Sequence, residues 1–399
     1  TYRRYDATFL RRCISALGCL APLDSERILL AARRLAELGD DRASRRVVTR
    51  ALLIDPTSLQ AVLDLSGAAD SRRRRLLETA LRHTVRAETR ALGPAVAARL
   101  ALAGFAHADG RHAEAYGLAS QSNALRLRVV GANAGSFVDR ARKVVAAGTA
   151  IEAAVPPVPR GLILLGGLPR SGTTLAERRI ARATGAFALG ETGLLELAFN
   201  RIAGRQFSST AFADRLERAL ASVTETPWVI EKMPMALVYR GLAERLFART
   251  RVVLTVRPFL ANFLSGHFID YADRLPFFAE IGVFAQVYRY YLELIREAAE
   301  ARPPSEVAIL PLERLAADPD AVTDRLVQRL GLDRRAADPD AQAIVRTASL
   351  RSVRETVARG RPDQYAPYDG LLDPTARALV AAVEADRERL LVTCRAHVL

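Results

Sequence analysis

Hydrophobic positions recur at three- and four-residue spacing through residues 27–38, 43–53, 59–65, 73–81 and 96–106. Each window draws one apolar stripe along a helix, so the chain is predicted to be helical to about residue 150. Gly39-Asp40-Asp41 and Asp55-Pro56 punctuate the first windows. The proline-rich stretch Val155–Pro159 reads as a stiff linker. Beyond it the period changes. Apolar runs at Leu162–Gly166, Trp228–Ile230, Val252–Val256 and Val307–Leu310 predict buried strands, with helical stretches between them. That alternation predicts an α/β fold: a P-loop-like parallel sheet with flanking helices, preceded by an all-α domain. Residues 276–301 read as a long helical insertion, and 374–397 as a closing helix. The expected domains are 1–155 and 160–399.

The helical part carries a weak internal repeat. Leu38–Ala43 and Ala108–Ala115 both resemble tetratricopeptide turns, and Gly39 and Gly110 lie 71 residues apart. That is close to two periods of about 34 residues. A plain helical bundle is the alternative reading. The run Arg72–Arg75 reads as a solvated helix face.

The chain has 399 residues, half of them hydrophobic and 26% charged, which fits two or three globular domains. No apolar run reaches the roughly 18 residues of a membrane span. The charged N-terminal stretch lacks a secretory apolar core, so a cytoplasmic location is expected. Cys13, Cys19 and Cys394 form no even framework and read as reduced thiols. Five histidines are scattered without ligand spacing, and no metal is expected. The formal charge of +14 suits an anionic partner. No aromatic-interleaved basic motif asks for nucleic acid. Only Lys143 and Lys232 are lysines, which draws attention to each of them.

The sharpest motif runs from Gly161 to Leu175: a buried strand, a glycine loop, then a helix. The amides of Gly172, Thr173 and Thr174 are placed to meet an anion at the helix N-terminus. Gly167 and Gly172 keep the spacing of a nucleotide P-loop, and Thr174 sits at its hydroxyl position. Thr173, however, replaces the lysine that reaches a triphosphate, and the cation moves to Arg170. A phosphosulfate fits that arrangement better than ATP.

Pro169-Arg170-Ser171-Gly172-Thr173-Thr174-Leu175 resembles the 5′-phosphosulfate loop of the tetratricopeptide-containing sulfotransferases, relatives of the protein-tyrosine sulfotransferases. The resemblance covers roughly residues 160–365 and, more weakly, the helices before them. It implies the sulfotransferase fold and PAPS as donor, with PAP as product. Gly190-Glu191-Thr192 is similar to the family segment whose acid is the catalytic base, so Glu191 would take the acceptor proton. Glu196 is its local rival, and an N-cap or surface acid is the plain alternative. Glu231-Lys232-Met233-Pro234 resembles the element whose lysine contacts the bridging or sulfuryl oxygens. A structural salt bridge is the other reading of Lys232. Arg257 and Ser265, eight residues apart, match the pair that binds the 3′-phosphate. Pro258 and Phe259 depart from the family pattern there. His267 reads as a helix-surface histidine. Arg359 and Gly360 sit where the family closes a basic-glycine loop over the cofactor, although the usual tryptophan form is absent. Leu312–Leu315 resembles a structural family segment.

The implied reaction moves a sulfuryl group from PAPS to a hydroxyl, with Glu191, Lys232 and Arg170 in the chemistry. Arg170, Ser171, Gly172, Thr173, Thr174, Arg257, Ser265, Arg359 and Gly360 would bind the cofactor. A helical-repeat groove and the positive charge suit an acidic peptide, and so a peptide tyrosine; small-molecule and glycan hydroxyls are the other acceptor classes. The rival functions are a P-loop kinase or NTPase and a non-catalytic PAP-binding scaffold.

Overall fold

The computed structural model describes residues 92–131, 134–269, 271, 275–335 and 364–399, with scattered positions between 32 and 85. The first repeat turn at Gly39, the Arg72–Arg75 run, Cys13, Cys19, Arg359 and Gly360 lie outside the described residues. The chain divides into two compact units: 1–131 with 267–274, and 132–266 with 275–399.

In the first unit, α1 (Leu92–Ala108) and α2 (His112–Val130) form a helical hairpin. The turn is closed by Arg111 N–H donating to Ala106 O at 2.8 Å. Ser122 Oγ donates to Val96 O at 2.9 Å, so the end of one helix lies against the start of the other. Val96, Leu100, Ala103 and Ala119 form one buried cluster between them. Glu78, Arg82, Arg111 and Glu114 form an ion-pair network at the turn. His267 is buried here, not on a helix surface: its Nδ1 lies 3.1 Å from Asn123 Nδ2, which also donates to His267 O at 2.9 Å.

The second unit is built on five parallel strands in the order β2-β3-β1-β4-β5. They are β1 (Val158–Gly167), β2 (Phe187–Gly190), β3 (Trp228–Lys232), β4 (Phe247–Val256) and β5 (Val307–Pro311). All four predicted runs are strands. The short strand β2 was not foreseen. Its burial is mostly partial and it is only four residues long, so it offers little apolar signal.

Helices connect the strands. α3 (Ala134–Ala150) precedes β1, and α4 (Thr173–Thr184) follows it. α5 (Leu194–Ala203) and α6 (Ser209–Ala221) lead to β3. A 3-10 turn (Ala236–Tyr239) and α7 (Arg240–Leu246) lead to β4. α8 (Phe259–His267) and α9 (Ile281–Ala301) lead to β5, and α10 (Leu312–Ala317), α11 (Pro319–Arg329) and α12 (Pro374–Thr393) complete the unit. On one sheet face Ile163, Leu165, Ile230 and Leu310 pack with Leu175 and Ile180 of α4, and Leu326 of α11 joins them. α3 belongs to this second unit: Phe137 packs edge-on to Phe277, and Arg245 donates to Thr149 O at 2.8 Å. The unit boundary therefore falls at residue 131, upstream of the Val155–Pro159 linker chosen from composition.

This topology decides where a site can form. The chain leaves β1 to one side for β2 and β3, then crosses to the other side for β4. A parallel sheet opens a crevice at the carboxyl ends of its strands where the direction reverses. The register brings those ends level: Gly190 pairs with Glu231, Leu165 with Lys232, and Gly167 with Thr255.

Candidate active site

The loop after β1 is held from several directions. Ser171 N–H and its hydroxyl both donate to Leu168 O, at 3.1 and 2.7 Å. Ser171 Oγ also lies 2.7 Å from Thr255 Oγ1. A Cβ on Gly167 would come within 2.2 Å of Thr255 Oγ1, so only glycine lets β1 approach β4 this closely. Gly172 is the N-cap of α4 at φ 99°, and no side chain caps that helix. Its first amides thus lack the side-chain acceptor that most helices supply. An oxyanion is the natural partner for such a terminus.

Three cationic or hydroxyl groups converge on the loop. Arg170 donates from Nε to Ser265 Oγ at 3.0 Å. Arg257 donates from Nη1 to Arg170 O at 2.9 Å. Asn262 donates to Pro169 O at 2.8 Å and pins the loop to α8. Arg257 itself is steered by Tyr288, whose hydroxyl donates to Arg257 O at 2.7 Å, and its guanidinium lies over the Tyr365 ring. Burial, with Arg170 nearby, lowers the Arg257 pKa. Among the described residues Arg257 makes no ion pair. A half-buried cation that no carboxylate contacts directly, Glu313 acting on it only at a distance, fits an anionic ligand, since charges taken from water are normally compensated. Thus Arg170, Ser171, Gly172, Arg257 and Ser265 form one cluster, with Thr173 and Thr174 buried at the helix start.

A second cluster lies at the ends of β2 and β3. Lys232 is fully buried and donates from Nζ to Glu191 Oε1 at 2.7 Å. Glu177 of α4 stands on another side of the same ammonium, 3.8 Å away through Oε2. Its Oε1 accepts the Gly190 N–H at 3.1 Å. Burial raises the Glu177 pKa, opposed by the Lys232 charge and by the Gly190 hydrogen bond. Glu231, next to Lys232, is 1% exposed and accepts from Thr192 Oγ1 at 3.0 Å through Oε2. Burial pushes the Glu231 carboxyl up to about 7, against the pull of Thr192 and the Leu194 and Leu195 amides.

Glu191 and Lys232 are therefore brought together, as are the loop and the Arg257–Ser265 pair. Glu196 sits in the first turn of α5, and the acid that Lys232 bonds is Glu191. Sequence reasoning missed Glu177, Asn262, Tyr288 and the distinct role of Glu231. Glu177 had one available signal: an acid one helical turn after the glycine loop, among residues whose neighbours are arginines. A larger cavity of about 570 Å3 lies at the far end of α4, but Arg179 and Asp320 in its wall are paired with each other at 2.7 Å.

Residues 199–336 match the model of the sulfotransferase family, which takes in Lys232, Arg257 and Ser265. No curated protein matches the chain. Several solved structures align with it, two of them as follows. The sulfotransferase domain from the curacin biosynthetic pathway is 14% identical, with a TM-score of 0.39 over 57% of this chain and 98% of that one. The sulfotransferase domain of the Synechococcus PCC 7002 olefin synthase is 16% identical, with a TM-score of 0.40 over 57% of this chain and 94% of that one.

Proposed function

We propose that the protein transfers a sulfuryl group from PAPS to a hydroxyl acceptor, a peptide tyrosine among the candidates. The observation that carries this reading is the pairing of an uncapped glycine-loop helix with two arginines and no loop lysine, level with the ion pair between buried Lys232 and solvent-accessible Glu191. The amides of Gly172, Thr173 and Thr174, with Arg170 and Ser171, would hold the 5′-phosphosulfate. Arg257 and Ser265 would hold the 3′-phosphate, with Arg359 and Gly360 assigned to it by resemblance alone.

The donor supplies the activated sulfuryl group. The acceptor oxygen bonds to sulfur while the sulfur–oxygen bond to the 5′-phosphate breaks, and PAP departs. Glu191 receives the acceptor's proton. Lys232 and Thr174 meet the negative charge that builds on the bridging oxygen. Glu177 fixes both partners of that step, since it touches Lys232 directly and Glu191 through the Gly190 amide. Catalysis of this kind rests on positioning and preorganised charge, as in phosphoryl transfer.

The test uses 35S-labelled PAPS with a panel of peptide, phenolic and alcoholic acceptors. Glu191→Ala and Lys232→Ala are expected to bind PAP, measured by calorimetry, and to lose transfer by about 100-fold or more. Normal transfer by both variants removes these residues from the mechanism. Tighter binding of ATP–Mg than of PAP by the wild-type chain overturns the donor assignment in favour of a P-loop kinase or NTPase. PAP binding with no transfer to any acceptor favours the scaffold reading.

A further inference from the structure

A cavity of about 320 Å3 opens at the carboxyl end of β3. One wall is a helix stripe, Phe137, Ala141 and Val144 of α3; the segment after Lys232 supplies Met233, Met235 and Tyr239. Aromatic and thioether side chains of this kind accommodate a flat ring and adapt to its outline. The volume is at the small end for ligand pockets, which suits one or two fused rings and not an oligosaccharide.

Glu231 stands in this wall. Its Oε2 is occupied by Thr192, while its Oε1 is buried and has no hydrogen-bond partner. The Leu194 and Leu195 amides pull on this carboxyl without completing a hydrogen bond to Oε1, so part of the desolvation cost stands, which a donor from a ligand would relieve. Arg140 and Glu196, the other charged residues of the wall, are opposite in sign, so Glu231 leaves it acidic. An anionic group is disfavoured there. The wall is also tied to the proposed chemistry: Met233 and Pro234 follow Lys232 directly, and Thr192, bonded to Glu231, follows Glu191. Met235 holds φ 64°, and strain of that kind in a non-glycine residue concentrates at functional sites.

We infer that this cavity seats the acceptor, and that the acceptor is a neutral, ring-bearing alcohol or phenol with a second hydrogen-bond donor for Glu231 Oε1. The reacting hydroxyl then points toward Glu191 while the second donor fixes the ring. That the seated molecule is sulfated rests on the sulfuryl-transfer reading; its binding does not.

The full-length chain is titrated with 2-naphthol and with 2,7-dihydroxynaphthalene, read by ligand fluorescence, in the presence and absence of PAP. At pH 8, where the Glu231 carboxyl is ionised, the wild type is expected to bind the diol about tenfold more tightly than the mono-ol, the scale of one hydrogen bond to a charged group. Glu231→Gln reduces that preference and Glu231→Leu brings it to near unity. Ala141→Phe, which fills the cavity from α3, weakens both ligands by about tenfold or more and leaves PAP affinity unchanged. Thermal melts establish that each variant is folded; if Glu231→Leu is not, Ala141→Phe and Glu231→Gln decide the matter. Equal binding of the two naphthols by the wild type, or binding untouched by Ala141→Phe, overturns the assignment. Retained naphthol binding with no PAP binding leaves the cavity assignment standing and removes the donor reading.

Discussion

Arg170 takes φ 71° and Gly172 φ 99°, so two of the three residues 170–172 lie in the left-handed region. For arginine that conformation costs on the order of 1 kcal/mol, and the turn keeps it because Arg257, Asn262 and Ser265 hold the loop from outside. Gly172→Ala adds a Cβ 2.4 Å from Leu312 Cδ1 on the same unfavourable φ. The variant is expected to lose about 1–2 kcal/mol in urea denaturation, and to bind PAP at least about tenfold more weakly by calorimetry as the α4 amides shift. Glu231 gives a prediction in pH. Its folded pKa, about 7, lies above the ordinary 4.5, so the folded chain holds the proton that the unfolded chain releases between those values. Stability from this group is full below about pH 4.5 and is lost as pH rises through 7, by ~3 kcal/mol at most. Glu231→Gln should therefore raise the melting temperature at pH 8 relative to wild type by more than it does at pH 5; an equal change at both pH values rejects the shift. Arg170, Lys232, Arg257 and Ser265 stood out as candidates in the sequence because the resemblance to the sulfotransferase segments marks them. Glu231 was visible only as the neighbour of Lys232, since nothing in a sequence distinguishes a buried carboxylate from a solvated one.

Helix α4 joins the two clusters. Its N-terminus forms the anion loop, and Glu177, one turn further on, reaches Lys232 of β3 and the Gly190 amide that ends β2. The carboxylate thus braces two strand ends that the Lys232–Glu191 pair and the Thr192–Glu231 hydrogen bond also connect. Glu177→Ala leaves a buried N–H without its acceptor and removes one of two carboxylates facing a buried ammonium. The expected cost is about 2–4 kcal/mol in chemical denaturation. Glu177→Gln retains the acceptor for Gly190, so it should recover part of that loss while still lowering kcat more than it changes the Kd for PAP. A Gln variant no more stable than Ala argues against the Gly190 bond. At this scale the apolar runs revealed β1, β3, β4 and β5 because those runs are buried on both faces, β5 included although it ends the sheet. β2 escaped because its residues are mainly half-buried and it spans four positions. Glu177 escaped because Ala176-Glu177-Arg178-Arg179 reads as an ordinary charged helix surface, whereas the fold turns that position inward.

Across the whole chain, the described candidate site residues lie in the second unit, and the first unit takes the segment 267–274 from the chain between α8 and the Pro276–Ala279 turn. Composition placed the domain boundary at the prolines because a linker is locally recognisable. Packing placed it earlier, because α3 buries its apolar face against α7 and α9, a long-range choice that no window of sequence contains. The net charge of +14 acts at this scale as well. A donor carrying several phosphate charges feels the summed field, whereas a neutral ring in the cavity beside Glu231 does not. Raising sodium chloride from about 0.05 to about 0.5 M shortens the screening length by roughly threefold. PAP affinity is then expected to fall by about tenfold, and the affinity of 2,7-dihydroxynaphthalene to change by less than about twofold. Both can be titrated on one sample. Parallel salt dependence for the two ligands would mean that they do not occupy sites of opposite electrostatic character, and the division into an anion cradle on the arginines and a neutral seat beside Glu231 would fail.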